Sequence, residues 1–301
     1  FTFFRYLWEH LRSGDLLRTL AENTSFIGYT PNEDWGLWNF NVYLNQRHLA
    51  FGLLIAALVL WYYLDLVEAG CSHSEKGLAW MKNRLFSVEA WKMRNPEGAL
   101  AAGLALGLTA FWNGAAVIGG LLILLGFAVF SDGKLDYLAT AVTAVLFSVL
   151  QSKVFIRGSA VEAGFYWGFI SEDKSPAGVL WFLIQMSGIF FAGAVLLLPL
   201  LKKRLHRVLT VSCLFPVVFA FCFSLTPDIT VNHKYIMISY AFLAVLWAGV
   251  LTGLWKRKDG SRRSAAVIRR AAAVLLAVCL TATGIYDFVV ILRNNGPGHR
   301  V

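Results

Sequence analysis

Residues 39–60 read NFNVYLNQRHLAFGLLIAALVL, a polar collar that runs directly into an apolar helix. No charge falls between 49 and 64, while Asn45, Gln46, Arg47 and His48 stand together just before that stretch. An arginine at the centre of a membrane helix costs about 2.5–3.5 kcal/mol, and less near the interface. This collar is therefore expected at the membrane surface, facing protein or a headgroup. A second collar, DITVNHKY over 228–235, opens another apolar stretch far along the chain. The two are expected to meet on one side of the membrane and form an anion-binding site.

Composition sets the class. Of 301 residues, 57% are hydrophobic and only 15% charged, with a mean hydropathy of +0.60, the profile of a polytopic membrane protein. The net charge of +9 gathers in short loops between apolar runs, so topology accounts for it and a nucleic-acid partner is not expected. Cysteines at 71, 213, 222 and 279 give no disulfide framework, three lying in spans and one in a loop expected in the cytoplasm. The opening FTFFRY shows no signal-peptide pattern, and the chain is expected to be a piece whose upstream part is missing.

Residues 1–20 space Phe4, Leu7, Leu11, Leu16, Leu17 and Leu20 along one face between charged positions, which predicts one amphipathic interfacial helix. A polar and aromatic external loop should follow to residue 48. Residues 98–131 are uncharged for 34 positions, roughly 51 Å as a single helix and too long for one upright span. With Asn113-Gly114 near the middle, the stretch predicts two short helices joined by a tight turn. Charge parity agrees: the hairpin puts 17 Lys and Arg on the cytoplasmic side and 10 outside, whereas a single crossing puts 11 inside and 16 outside. Only the hairpin obeys the positive-inside rule.

The resulting expectation is an all-α, polytopic transmembrane bundle of about eight membrane helices, two of them short. It divides into an external segment over 1–48, a bundle over 49–292 and an external tail over 293–301. Later spans are expected near 137–152, 178–201, 208–226, 235–255 and 271–292, with Pro216 kinking its helix. The cytoplasmic charges, including Lys76, Lys82, Arg84, Lys92 and Arg94 within 69–97, are expected to form loose basic loops.

On this topology the polar residues at span ends collect outside: Asn45, Gln46, Arg47 and His48; Asn113 at the hairpin tip; Gln151, Lys153 and Arg157; Asp228, Asn232, His233 and Lys234; and Asp287. Arg, Lys and His interleaved with amides at headgroup level suit a lipid phosphate or pyrophosphate, each charge-assisted hydrogen bond being worth about 1.5–3 kcal/mol. Arg47 and Lys234 equally suit simple anchoring to headgroups, and Asn113 a simple turn. Catalysis would need a carboxylate, for which the external candidates are Glu33, Asp34, Glu162, Glu172, Asp173, Asp228 and Asp287. The adjacent Glu33 and Asp34 could also hold a hard divalent cation, Mg or Mn. A phosphate-binding glycine loop, a GxSxG nucleophile and a CxxC pair are all missing, so nucleophilic hydrolase chemistry has no support.

NQRHLAFGLL entering a span, GLALGLTAFWNGAAVIGGLLILLGFAVF, and TPDITVNHKYIMISYAFLAVLWAGVL follow one another in an order that resembles the C-class (GT-C) membrane glycosyltransferases, which use polyprenyl-phosphate sugars. In that superfamily an arginine precedes an early span, a glycine-rich short-helix pair carries a polar or basic residue at its turn, and a basic-aromatic pair opens a late span. Arg47, Asn113 and the Lys234-Tyr235 pair stand at those places. The resemblance implies an external-face transferase in a bacterial or archaeal plasma membrane. Its partners would be membrane lipids, a polyprenyl-phosphate-linked sugar donor, and a glycan, lipid or protein acceptor. Two departures count against it. The superfamily's acidic motif sits in a loop that would precede this chain, so the base is Glu33 or Asp34, or lies upstream, or is absent. Asparagine also stands at 113, where many relatives carry lysine. A competing expectation is a non-catalytic transporter or accessory subunit for lipid-linked glycans, which would need polar residues at several depths of the spans.

Overall fold

A computed structural model describes residues 2–28, 32, 47–155, 163–256 and 263–294. In chain order the helices are α1 (Thr2–Ser13), α2 (Leu16–Glu22), α3 (Arg47–Tyr62), α4 (Leu64–Cys71), α5 (Gly77–Phe86), α6 (Val88–Trp91), α7 (Pro96–Leu108), α8 (Gly114–Phe130) and α9 (Lys134–Phe155). After the short strand β1 (Gly164–Phe165) come α10 (Pro176–Ser187), α11 (Phe190–Leu197), α12 (Arg204–Cys222), strand β2 (Phe223–Ser224), α13 (His233–Trp255) and α14 (Arg263–Asn294). The only strand pairing among these residues is β1 with β2, antiparallel, with Gly164 opposite Ser224.

The all-helical expectation holds, and the molecule has the make-up of an integral multi-pass membrane protein. Among the described residues four helices are long and apolar enough to cross a bilayer: α9, α12, α13 with its preceding turn, and α14. Counting α3 with α4, and α10 with α11, as broken spans raises the number to six. The helices α7 and α8 are apolar but shorter. Among the described residues, length and composition alone thus identify four to six spans, and the expected count of about eight would need α7 and α8 as well. The span expected over 178–201 is broken: α10 and α11 meet at 108°, because Gly188 at φ +59° ends α10. Likewise the single amphipathic helix expected over 1–20 is two helices, divided at Gly14 with φ +78°.

Two compact units emerge, one made of 1–38, 170–194 and 245–301, the other of 39–169 and 195–244. In the larger unit the predicted hairpin is present. Asn95 caps α7 by accepting the Gly98 N–H at 2.9 Å, Pro96 fills the first helical position, and a 3₁₀ turn over Thr109–Phe111 leads to α8. Glycines let the backbones approach. A methyl group on Gly103 or Gly107 would fall 2.7 Å from the carbonyl oxygens of Thr140 and Ala144, so α7 and α9 lie side by side in the same direction. One on Gly52 would fall 2.6 Å from Ala116 Cβ, and one on Gly70 2.7 Å from Ser131 Cα, so the α3–α4 pair runs parallel to α8. Ile238, five residues into α13, meets Gly119, five residues into α8, at 2.6 Å from an added methyl. The starts of α3, α8 and α13 are thus level at one end of this unit.

In the smaller unit the N-terminal helices fasten to the end of α14. Arg293 Nη1 donates to the carbonyls of Leu20 (3.3 Å) and Asn23 (2.8 Å), Asn23 Nδ2 donates to Tyr286 Oη at 2.9 Å, and Phe3 packs on the Tyr286 ring. The Trp247 indole N–H reaches Phe190 O at 3.2 Å, joining α13 to α11.

Candidate functional site

The level helix starts in the larger unit bring the beginnings of α3 and α13 to the hairpin tip, residues 39–46 of the first collar lying outside the described residues. Arg47 opens α3, Asn113 caps α8 and His233 opens α13. Each side chain has a local reason to be there. Asn113, 6% exposed, accepts the Ala116 N–H on Oδ1 at 3.0 Å, so its amide is the helix cap that the Asn-Gly pair suggested. Asn232, 1% exposed, donates through Nδ2 to the carbonyls of Ala220 (3.0 Å) and Phe223 (2.6 Å), tying the end of α12 to the start of α13. Gln151 donates to Gly107 O at 3.0 Å, pinning the end of α9 to the hairpin. Tyr235 is buried edge-on against Phe219, and His233 is buried with Nδ1 on Thr230 O.

These groups are committed to the scaffold, which narrows the set free to meet a ligand. Lys234 is half-buried at the start of α13, and His48 is exposed on α3. Asp228 is exposed. Its Oδ1 accepts both the N–H and the hydroxyl of Thr230, at 2.9 and 2.7 Å, which caps the 3₁₀ turn into α13. Gly114, next to Asn113, is exposed, and a methyl group on it would meet none of the described residues within 4 Å. An aromatic rim borders it. Phe111 and Trp112 are 59% and 49% exposed, with Phe51 against Trp112 and Phe155 against Phe111 at ring separations of 5.1 and 5.5 Å. Aromatic residues of this kind sit at membrane–water interfaces.

Several expected members belong to the smaller unit or lie outside the described residues. Asp287 belongs to the smaller unit, where its carboxylate accepts the N–H groups of Ile27 (2.9 Å) and Gly28 (3.0 Å). It is a structural clasp for the N-terminal segment. Glu172 and Asp173 also lie in that unit, and both are exposed. The Ser175 N–H and hydroxyl hold the Asp173 carboxyl below the ordinary carboxylate range while it steadies the start of α10. Glu33, Asp34, Asn45, Gln46, Arg157 and Glu162 lie outside the described residues, as does the side chain of Arg47. No cluster of three His, Cys, Asp or Glu suited to a metal ion is found among the described residues.

At the opposite end of the larger unit, several of the charges expected to form loose basic loops are built into the fold. Residues 77–91 fold into α5 and α6, and Arg84 is 2% exposed, paired with the buried Asp132. His73 Nε2 lies 3.1 Å from Asp132 Oδ2 and 2.8 Å from Arg84 Nη1. Lys134 turns its ammonium onto the carbonyls of Ala128 and Ser131 and closes the end of α8. Asp136, 1% exposed, accepts the N–H groups of Arg94 and Asn95, each at 2.7 Å. Arg204 stacks over Trp80 at 4.7 Å and donates to the carbonyls of Cys71, His73 and Glu75. Sequence reasoning missed this network because counting charges assigns a side to the membrane but no partner to a charge. The available signal was SDGKLD, a polar run set between two apolar helices.

The two ends therefore differ in kind. One fastens helices to one another through a buried ion pair and side-chain bonds to backbone. The other combines level helix starts, a half-buried lysine and exposed aromatic side chains. The chain matches no protein family, and neither a curated protein nor a solved structure matches it.

Proposed function

We propose that this protein is a membrane glycosyltransferase that grips the lipid phosphate of a polyprenyl-phosphate sugar at the collar end of its larger unit. In this reading all eight apolar segments lie in the bilayer, and the collar end faces the extracytoplasmic side of a bacterial or archaeal plasma membrane. The observation that carries the reading is the levelling of the α3, α8 and α13 starts. A helix N-terminus acts as about half a positive charge, and its first N–H groups lack intrahelical partners. Three such ends with Arg47 and Lys234 on them favour an anion, and Gly114 beside them is exposed.

The chemistry asks for one carboxylate. The acceptor hydroxyl gives its proton to that base as its oxygen attacks the anomeric carbon. The bond from that carbon to the phosphate oxygen breaks, and the polyprenyl phosphate leaves with its charge held by Arg47 and Lys234. Asp228, which is exposed, is one candidate for the task; Glu33 and Asp34 are the others. In proteoliposomes supplied with a polyprenyl-phosphate sugar, Arg47→Ala and Lys234→Ala are each expected to slow transfer. Loss of a charge-assisted bond worth about 1.5–3 kcal/mol lowers the rate at least tenfold. Wild-type transfer by both variants would overturn the proposal.

A further inference from the structure

In the smaller unit the last turns of α13 and the first half of α14 leave a groove of about 340 Å³ between them. Leu251 and Trp255 form one wall, and Ala273, Val274 and Ala277 the other. Leu251 and Trp255 are four residues apart, as are Ala273 and Ala277, so each pair shares a helix face and the slot follows the helix axes. It exists because small side chains on α14 oppose larger ones on α13. The surface around it is apolar and open, with Val274 52%, Leu275 65% and Ile268 68% exposed, as suits a face turned to lipid.

The groove's mouth is cationic. Lys256 lines it and is exposed. Arg270 lies with its guanidinium 5.7 Å from the centre of the Trp255 ring and donates to Trp255 O at 3.4 Å. Arg269 closes the end of α13 on Gly253 O and Lys256 O. No Asp or Glu occurs in 245–256 or 263–286, so nothing among the described residues of this helix pair neutralises the cluster. An apolar slot ending at three cations, on the side where the charge count puts the cytoplasm, is complementary to an anionic lipid and to little else.

We propose that this groove is a binding site for an anionic phospholipid of the cytoplasmic leaflet, one acyl chain lying between α13 and α14 and the phosphate meeting Lys256 and Arg270. The site is separate from the sugar-transfer reading and stands or falls without it.

The test uses the full chain, purified and delipidated, and counts bound lipid by native mass spectrometry after titration with phosphatidylglycerol or with phosphatidylcholine. Phosphatidylglycerol is expected to bind preferentially. Lys256→Ala, an exposed change that leaves the fold intact, should weaken it about fivefold while leaving phosphatidylcholine unaffected. Ala273→Leu, which fills the slot, should weaken both lipids, with an unchanged melting curve confirming the fold. Equal binding of the two lipids, or unchanged phosphatidylglycerol binding in both variants, overturns the proposal. So does a polyprenyl phosphate that displaces phosphatidylglycerol from the same residues at lower concentration.

Discussion

Removing the carboxylate of Asp132 is the sharpest way to ask whether the network at the non-collar end holds the larger unit together. Arg84 is 2% exposed and the Asp132 side chain 8%, so the pair has little water to fall back on. Asp132→Ala leaves a buried guanidinium uncompensated and strips His73 of its 3.1 Å contact. Breaking one side of such a pair costs about 3–5 kcal/mol, whereas replacing both partners by apolar groups of similar size is often neutral or stabilising. Asp132→Ala is therefore expected to destabilise by about 3–5 kcal/mol, and Asp132→Ala with Arg84→Met to recover most of that loss. Reversible unfolding in mixed micelles, followed by tryptophan fluorescence, measures both. Trp80 is a suitable reporter, since its indole bonds Gly70 O at 2.9 Å and its ring stacks on Phe130. A cost below about 1 kcal/mol for the single change, or a double variant as unstable as the single one, would refute the reasoning.

Two other outcomes test how the scaffold holds its parts. Asn113→Ala should cost about 1 kcal/mol through loss of the α8 cap, whereas Asn113→Ser should retain both stability and transfer, because a serine oxygen caps as well; a ligand role for the amide would show instead as lost transfer in Asn113→Ser at unchanged stability. Asp287→Ala strands the N–H groups of Ile27 and Gly28, at about 1–3 kcal/mol each, and should speed hydrogen exchange at Ile27 and Gly28. Gly28→Ala should do the same, since a Cβ there would collide with the Asp287 carboxylate, and unchanged exchange in both variants would dismiss the clasp.

Much of the architecture was legible in the chain itself. The uncharged run over 98–131 exceeded what a bilayer accommodates, and a glycine follows the asparagine at its middle, so a hairpin was required by length and turn chemistry alone. The collars announced themselves because a charge beside an apolar run must lie at an interface. Composition likewise settled that the molecule is helical and has the make-up of a membrane protein. These are one-dimensional constraints: length, period, and the free energy of leaving water.

Only the tertiary structure decided which polar groups are spoken for. Asn113, Asn232 and Gln151 look like ligand residues in sequence, yet each bonds a helix end or a carbonyl on a neighbouring helix. Asp287 looks like an intramembrane acid and is a clasp for backbone 260 residues away in sequence. Arg84 looks like one more positive-inside charge and is buried against Asp132. In each case the partner is a backbone group or a counter-charge distant in the chain, which no local pattern encodes. The same holds for the break at Gly188, where a left-handed φ turns one apolar run into two helices at 108°. Hydropathy fixes which segments leave water, but the pairing of buried polar groups is fixed by which helices lie side by side.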